Sequence, residues 1–194
     1  MRKSVLLASL LVCVAATRAA VVLTIDTTNL NAVTFTATTA FSQTTDKATI
    51  AQDGITLLNF FAASAPTRPG FVSSSLHVSG ATGAYDSVSR SSYLTPGSYM
   101  SLNFFDNGST RAQIFSTGSV AFAGVLTLDL AADAGFLRAL GYHGDVLGGD
   151  SSSTTHPVLG QYSLIPEPST TGLLIGFGCL LAVAARRYLR VRKA

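Results

Sequence analysis

The side chains that most often perform catalysis or bind metals are sparse and scattered in this chain. Its three histidines, His77, His143 and His156, show no HxxxH or HxH spacing and have no cysteine pair beside them. A zinc site would need three separated segments to converge, whereas structural zinc sites use closely spaced ligands. Ser98 lies in Pro-Gly-Ser-Tyr rather than in a G-x-S-x-G motif, which favours a turn serine over a nucleophile. We therefore predict no metal site and no cofactor.

Paired carboxylates offer a second route to chemistry. Nine aspartates lie between residues 20 and 165, and the only glutamate, Glu167, lies beyond them. Glycoside hydrolysis uses two facing carboxyl groups, so an enzyme of that class would have to use two of these aspartates. Asp145 and Asp150 flank Val-Leu-Gly-Gly and are candidates for calcium binding. Because the D-x-D-x-D-G spacing is missing, solvated loop residues are the favoured interpretation.

The most distinctive spacing lies near the C-terminus, where Ile165-Pro166-Glu167-Pro168 precedes an apolar stretch. Proline fixes φ, carries no N–H and pushes the residue before it towards extended geometry. We therefore expect an exposed, extended strip that fits the groove of an enzyme, with Glu167 as an ionic contact. A stiff linker between a domain and an anchor is the alternative interpretation.

The apolar stretch after the two prolines has the composition of a membrane segment. Residues 170–185 are 16 residues without charge, somewhat fewer than the ~20 that a helix needs to cross the hydrocarbon core. Arginines at the boundary can snorkel to the interface, and a basic cluster belongs on the cytoplasmic side. That cluster consists of Arg186, Arg187, Arg190, Arg192 and Lys193. The sequence therefore predicts a single C-terminal transmembrane helix, with the preceding domain outside the inner membrane.

Together, Pro166-Glu167-Pro168, the short apolar span and the arginine-rich end resemble the PEP-CTERM sorting signal of Gram-negative bacteria that secrete exopolysaccharide. The resemblance covers residues 166–193, and the order of its three parts makes it specific. It implies that exosortase, a membrane-embedded enzyme similar to cysteine transpeptidases, recognises the signal and cleaves it near Pro-Glu-Pro. It further implies transient anchoring in the inner membrane, followed by release to the cell surface or the extracellular space.

The N-terminus has the organisation of a secretory signal peptide. A positively charged start is followed by an apolar run over residues 5–16 and by small residues. Cleavage after Ala19 places small residues at both recognition positions. A lipoprotein signal at Cys13 is the alternative, although the bulky Val12 does not suit that cleavage. The predicted organisation is a signal peptide (1–19), an exported domain (20–165) and the sorting signal (166–193).

Charge and cysteine usage agree with an exported domain. The overall charge of +3 comes from the two ends, whereas residues 20–165 contain five basic residues and nine aspartates, a net charge near −4. The clustered Lys and Arg of a nucleic-acid-binding surface are therefore absent from this domain. Both cysteines, Cys13 and Cys179, lie outside it. The domain must be stable through burial and hydrogen bonding without disulfides.

The sequence predicts that the domain is all-β. Apolar residues alternate with threonines over residues 33–38, which indicates a strand with one buried and one solvated face. Similar alternation occurs over 100–104 and 120–130. The Asp-Asn-Gly-Ser segment at 106–109 lies between two such runs and predicts a β-hairpin, because Asn and Gly suit positive φ. Frequent strands without a long helical period favour an antiparallel β-sandwich of the jelly-roll type.

Two segments fit the strand pattern less well. Residues 131–144 are compatible with a short helix or with a strand, and Gly141 would end the helix. Residues 145–157 contain few apolar side chains and predict a loop.

Two functional classes fit these features. The first is a non-enzymatic, structural or adhesive protein of the cell surface or extracellular matrix, whose Ser- and Thr-rich faces contact exopolysaccharide. Such faces are equally typical of the solvated side of an antiparallel sheet. The chain has no Trp, so aromatic contacts to sugars would depend on tyrosines such as Tyr85, Tyr93 and Tyr142. The alternative is a secreted, Asp-dependent, carbohydrate-active hydrolase. We predict the non-enzymatic function.

Overall fold

Nearly all the regular structure in the part of the chain that the structure describes is β-strand. The computed structural model describes residues 19–49, 54–64, 68–81, 83–92, 99–106, 112–149 and 156–165. Within these ranges the strands are β1 (Val21–Asp26), β2 (Val33–Ala37), β3 (Asp46–Thr49), β4 (Ile55–Phe61), β5 (Gly70–Ser74), β6 (His77–Val78), β7 (Ser87–Ser91), β8 (Met100–Phe105), β9 (Ala112–Phe115), β10 (Phe122–Ala123), β11 (Val125–Asp129), β12 (His143–Gly148) and β13 (Val158–Ile165). Two short 3-10 helices, Leu30–Ala32 and Ala131–Phe136, complete the regular elements of the described ranges. The predicted all-β class is confirmed.

Nine of the described strands form one sheet, in the order β5-β11-β2-β1-β13-β12-β4-β8-β7. Neighbouring strands are antiparallel, except that β1 and β13 run parallel, with Thr24 opposite Ser163 and Asp26 opposite Ile165. The first and last described strands of the chain therefore lie side by side at the centre of the sheet. The pairs β3/β9 and β6/β10 form two small separate sheets.

The two ends of the nine-stranded sheet approach each other, so the sheet is nearly closed. Arg68, two residues before β5, donates from Nε and Nη2 to the Val88 carbonyl of β7, at 3.1 and 3.0 Å. Inside, the Phe35 ring of β2 meets the Phe104 ring of β8 edge to face, with centroids 5.1 Å apart, although these strands are not neighbours. The observed fold therefore differs from the predicted jelly-roll sandwich, because the β1/β13 pairing joins both halves into one curled sheet.

The core inside this sheet is rich in aromatic rings. Phe60 lies 5.7 Å from Phe35 and 5.0 Å from Phe61, measured between ring centroids, and all three side chains are fully buried. Burying such a side chain contributes roughly 1.5–3 kcal/mol, and a well-placed ring pair contributes about 0.5–1.5 kcal/mol more. The predicted alternation in β2 is confirmed, since Val33 and Phe35 are buried and Thr36 is exposed. Burial of these rings stabilises a domain that has no disulfide.

The predicted hairpin at 106–109 is wrong. β8 pairs with β4 and β7, whereas β9 pairs with β3, so the strands on either side of this segment are not neighbours. Residues 107–110 themselves lie outside the described ranges. The predicted solvated face of β8 is also wrong, because Ser101 and Asn103 are buried as well as Leu102 and Phe104. A strand covered on both faces and paired on both edges has no free edge for β9.

The segment from residue 131 to 157 contains both of the expected alternatives. A 3-10 helix covers Ala131–Phe136, a turn with Gly141 at φ 81° follows, and β12 begins at His143. The predicted loop over 145–157 is wrong for its first four residues, which belong to β12. Residues 150–155 lie outside the described ranges.

A chain of buried hydrogen bonds joins Tyr85, Gln113 of β9 and the backbone of Gly54. The Tyr85 hydroxyl donates to Gln113 Oε1 at 2.6 Å, and Gln113 Nε2 donates to the Gly54 carbonyl at 2.6 Å. Both side chains are completely buried. Burial raises the pKa of Tyr85 well above its usual value, and the negative charge of Asp46 raises it further. The phenol therefore remains a hydrogen-bond donor over the physiological pH range.

Tyr162 of β13 is the second buried phenol. Its hydroxyl donates to the Leu58 carbonyl at 2.9 Å. Burial is the main cause that raises the pKa of Tyr162 well above its usual value; Tyr142 and Asp145 add to the shift, and Arg138 opposes it. Both buried tyrosines thus make hydrogen bonds that require the protonated phenol.

The chain passes from a small sheet into the large sheet at Gly124. This residue lies between β10 and β11, has φ 89° and accepts a hydrogen bond from the Ala37 N–H at 3.0 Å. A Cβ at this position would overlap the carbonyl oxygen of Ser75. Glycine is required here both by the positive φ and by the close backbone approach.

We expect Gly124→Ala to lower the free energy of unfolding of a 20–165 fragment by about 2–4 kcal/mol, through backbone strain and overpacking together. Gly118→Ala is the matched control, since Gly118 has φ 81° but open space where a Cβ would lie. It should cost only about 1–2 kcal/mol. Urea denaturation measures both, and equal losses would contradict the close approach at Ser75.

We also expect stability to decline in alkali. A pKa that is raised on folding contributes stability that is complete below the unfolded pKa and is lost as pH rises through the folded value. Above about pH 10 the free energy of unfolding should therefore fall by about 1.4 kcal/mol per pH unit for each buried tyrosine. Tyr162→Phe removes one of the two phenols and should reduce this slope by about half. Denaturant titrations between pH 8 and 11 test this, and an unchanged slope in the variant would refute it.

Candidate functional site

The predicted sorting strip begins where the central strand of the sheet ends. β13 lies between β1 and β12, and its last residue, Ile165, is paired with Asp26. Leu164 is completely buried; its N–H donates to the Tyr142 carbonyl at 3.0 Å and its carbonyl accepts from the Gly141 N–H at 2.8 Å. Pro166 has no N–H and cannot continue the ladder. The folded domain therefore reaches to within one residue of the motif.

The predicted sorting and membrane residues lie outside the described ranges. They are the Pro166, Glu167 and Pro168 motif, the span 170–185 and the basic cluster 186–193, and the predicted signal peptide is likewise undescribed up to residue 18. In the part of the chain that the structure describes, no helix is long and apolar enough to span a membrane. The end of β13 thus marks the place on the domain from which the chain continues to the motif.

Near this exit, Arg138 is held between two tyrosine rings. Its Cζ lies 4.1 Å from the ring centroid of Tyr99 and 4.7 Å from that of Tyr142. Its Nε donates to the Asn59 carbonyl at 3.1 Å. Each cation–π contact at a partly exposed site stabilises by roughly 0.5–1 kcal/mol, and together with the hydrogen bond they fix the plane of the guanidinium. We call Arg138, Tyr99 and Tyr142 the arginine clamp.

The backbone that accepts from Arg138 has an unusual conformation. Asn59 has φ 55°, and the β4/β8 register is irregular there, with Leu57 opposite Leu102 but Phe61 opposite Met100. Asn59 Oδ1 is buried and has no hydrogen-bond partner among the described residues. A left-handed non-glycine residue and an unsatisfied buried acceptor each cost about 1–3 kcal/mol. The strained bulge therefore turns its carbonyl towards Arg138 at a cost in stability.

A second surface feature is a groove of about 330 Å³ beside β9. Three serines, Ser79, Ser116 and Ser119, line it together with Ile114 and Val120. Phe41 forms an isolated bridge with Val120, and its side chain is 57 % exposed. We call this surface the serine groove. It combines hydroxyl groups with apolar side chains, and Phe41 adds an exposed aromatic ring.

Three of the aspartates considered for catalysis, Asp26, Asp129 and Asp145, make hydrogen bonds within the fold. Asp26 Oδ1 accepts from the N–H and the hydroxyl of Thr28, and Asp129 Oδ1 accepts from the Ala131 N–H. Asp145 lies on β12 and accepts from Gln161 Nε2 at 3.3 Å, whereas Asp150 lies outside the described ranges. Carboxylates in such turns and caps stabilise the backbone they contact.

The three histidines lie on different parts of the fold. His77 is in β6, with Nδ1 2.7 Å from the Ser75 carbonyl, His143 opens β12 and His156 precedes β13. Within the described residues no group of three His, Cys, Asp or Glu side chains could hold a metal ion. Of the tyrosines proposed as sugar platforms, Tyr85 is completely buried and Tyr142 belongs to the arginine clamp, while Tyr93 lies outside the described ranges.

Sequence reasoning missed both surface features. The arginine clamp joins the segments before β8 and β12 and the bulge of β4, and its only local signal is the pair Arg138 and Tyr142, which also fits a helix. The serine groove joins segments around residues 80 and 116. Neither juxtaposition can be derived without the sheet topology.

Comparison with known proteins bears on the C-terminal segment. Residues 164–190 match the family model described as the PEP-CTERM protein-sorting motif. Neither the curated proteins nor the solved structures contain a significant match to the chain. The match begins at Leu164, so it overlaps the last two residues of β13, where the domain ends. The chain is therefore a PEP-CTERM protein, and its motif implies export and sorting to the cell surface by exosortase, a membrane enzyme.

Proposed function

We propose that the protein is a non-enzymatic structural or adhesive component of the cell surface or extracellular matrix that associates with exopolysaccharide. It is anchored transiently in the inner membrane by residues 170–185 until the sorting motif is processed. The observation that supports exopolysaccharide association best is the serine groove, where hydroxyl groups line one cavity and the residue bridged to Val120 of its lining, Phe41, has an exposed aromatic ring. Sugars offer hydroxyl groups for hydrogen bonds and C–H faces for apolar and aromatic contacts.

The size and composition of the serine groove suit a short stretch of polysaccharide. Its volume of about 330 Å³ lies at the lower end of the range for small-ligand sites. Ile114 is 50 % exposed on β9 and offers an apolar surface. The hydroxyl groups of the three serines offer hydrogen-bond donors and acceptors. The groove therefore fits neutral sugar units better than a purely apolar or a strongly charged ligand.

The local contacts of the aspartates support a function without catalysis. Hydrolysis by two carboxyl groups needs both to face one substrate. Asp26 and Asp129 instead accept hydrogen bonds from the adjacent backbone. These carboxylates have a structural explanation that requires no substrate.

We expect the secreted form to bind the exopolysaccharide of its own host, and Phe41→Ala to weaken that binding about tenfold through loss of an aromatic contact. Phe71→Ala is the matched control, because Phe71 is a phenylalanine of similar exposure, 40 %, on the edge strand β5. Surface plasmon resonance on immobilised polysaccharide measures both variants. Equal weakening would show that the groove is not the binding surface.

The same preparation distinguishes binding from turnover. Reducing-end assays on the polysaccharide after prolonged incubation should show no new chain ends. Release of new ends that stops when an aspartate is replaced by asparagine would favour the alternative, an Asp-dependent carbohydrate-active hydrolase. Binding without turnover supports the adhesive function.

For the sorting step, we expect the form outside the cell to lack the apolar span and the basic tail and to end near Pro166-Glu167-Pro168. Replacing these three residues with alanines preserves the apolar length and the charges, so a plain anchor should behave as before. A processed signal should instead accumulate uncleaved at the membrane. Intact mass spectrometry of both proteins measures this, and full-length mass for both in one membrane fraction would refute processing.

A further inference from the structure

We propose that the arginine clamp is a binding site for the carboxylate of an acidic sugar, such as a uronate unit of the exopolysaccharide. The inference rests on the proposed association with exopolysaccharide and specifies one kind of unit that the protein recognises. It concerns a surface that shares no residue with the serine groove.

The first argument is the set of donors that Arg138 leaves available. A guanidinium has five N–H donors in a planar fork. Within the described part of the chain its one hydrogen bond runs from Nε to the Asn59 carbonyl. The N–H groups of Nη1 and Nη2 thus donate to none of the described residues, and Arg138 is half-buried rather than enclosed. Two terminal nitrogens side by side match the two oxygens of a carboxylate.

The second argument is that the fork is already ordered. Rings of Tyr99 and Tyr142 contact the guanidinium at 4.1 and 4.7 Å, and the strained bulge at Asn59 holds Nε. A mobile arginine side chain loses conformational entropy when it binds an anion. An arginine side chain that is already held against aromatic rings has lost most of that entropy before binding. Strain that persists beside such a group is typical of binding sites.

The third argument concerns the chemical class of the anion. The domain carries a net charge near −4, so it does not attract polyanions generally, and binding depends on local geometry. The Tyr99 side chain is 37 % exposed beside the fork. A sugar ring that carries a carboxylate can contact this aromatic surface while its carboxylate meets Nη1 and Nη2. A uronate satisfies both features, and a neutral sugar satisfies only one.

The test is a calorimetric titration of the full-length protein, in detergent micelles at 150 mM salt, with trigalacturonate and with its neutral counterpart galactotriose. We expect trigalacturonate to bind at least about tenfold more tightly, the difference typical of a charge-assisted pair. Arg138→Gln should abolish this preference. Arg138→Lys keeps the charge but removes the fork, and should also weaken binding several-fold.

Arg90→Gln is the control for net charge, since it removes one positive charge from a half-buried arginine of β7. It should leave trigalacturonate binding within about twofold, because salt screens distant charges. Equal weakening in Arg90→Gln and Arg138→Gln would overturn the proposal in favour of general electrostatics. The preference of the unaltered protein for trigalacturonate needs no variant, so its absence would overturn the proposal even if Arg138→Gln fails to fold.

Glu167 is the competing source of a carboxylate, since it lies two residues beyond the end of β13 and β13 is hydrogen-bonded to Tyr142. If trigalacturonate binds only after Glu167→Gln, the Arg138 guanidinium binds the carboxylate of Glu167 in the chain's own motif. The proposal of a sugar carboxylate is then overturned. If both trisaccharides bind equally and Arg138→Lys has no effect, the carboxylate site is refuted while exopolysaccharide association stands. If neither trisaccharide nor the host polysaccharide binds, the proposed function itself fails.

Discussion

Contact between Phe35 and Phe104 across the interior is the interaction on which the shape of the domain depends. These rings come from strands at opposite sides of the sheet order, so they meet only if the sheet curls. Curling brings the edge strands close enough for Arg68 to reach the Val88 carbonyl. It also encloses the rings of Phe60 and Tyr162. Apolar burial, in a domain without a cysteine, thereby determines how the strands of the large sheet are arranged.

The curled sheet also encloses polar side chains. Some of them have hydrogen-bond partners among the described residues, and others do not. Tyr85 and Gln113 form a complete chain that ends on the Gly54 carbonyl. Asn59, in contrast, keeps a buried oxygen that has no partner among the described residues. A satisfied network adds rigidity, whereas an unsatisfied group marks a place where local stability is given up. That place lies beside Arg138, whose Nε donates to the Asn59 carbonyl and whose guanidinium contacts the Tyr99 ring.

The sequence predicted what is local and missed what is not. Alternation identified β2, because the burial of Val33 and Phe35 follows from a period of two. The sorting motif was predicted because its three parts are contiguous and need no fold. The hairpin predicted at the Asn-Gly turn is wrong, because β9 pairs with β3 and β8 pairs with β4. These partners are distant in the chain, so no local pattern indicates them. The arginine clamp and the parallel β1/β13 pair likewise join residues that no local pattern connects.

The central position of β13 also affects how the domain folds. Its partner β1 is made some 140 residues earlier in the chain, so the pairing has a very high contact order. Such contacts close large loops, and they slow folding. The place between β1 and β12 can therefore be filled only when the whole chain up to Ile165 is available to the fold. The two halves of the large sheet, β5-β11-β2-β1 and β12-β4-β8-β7, are joined only through this last described strand.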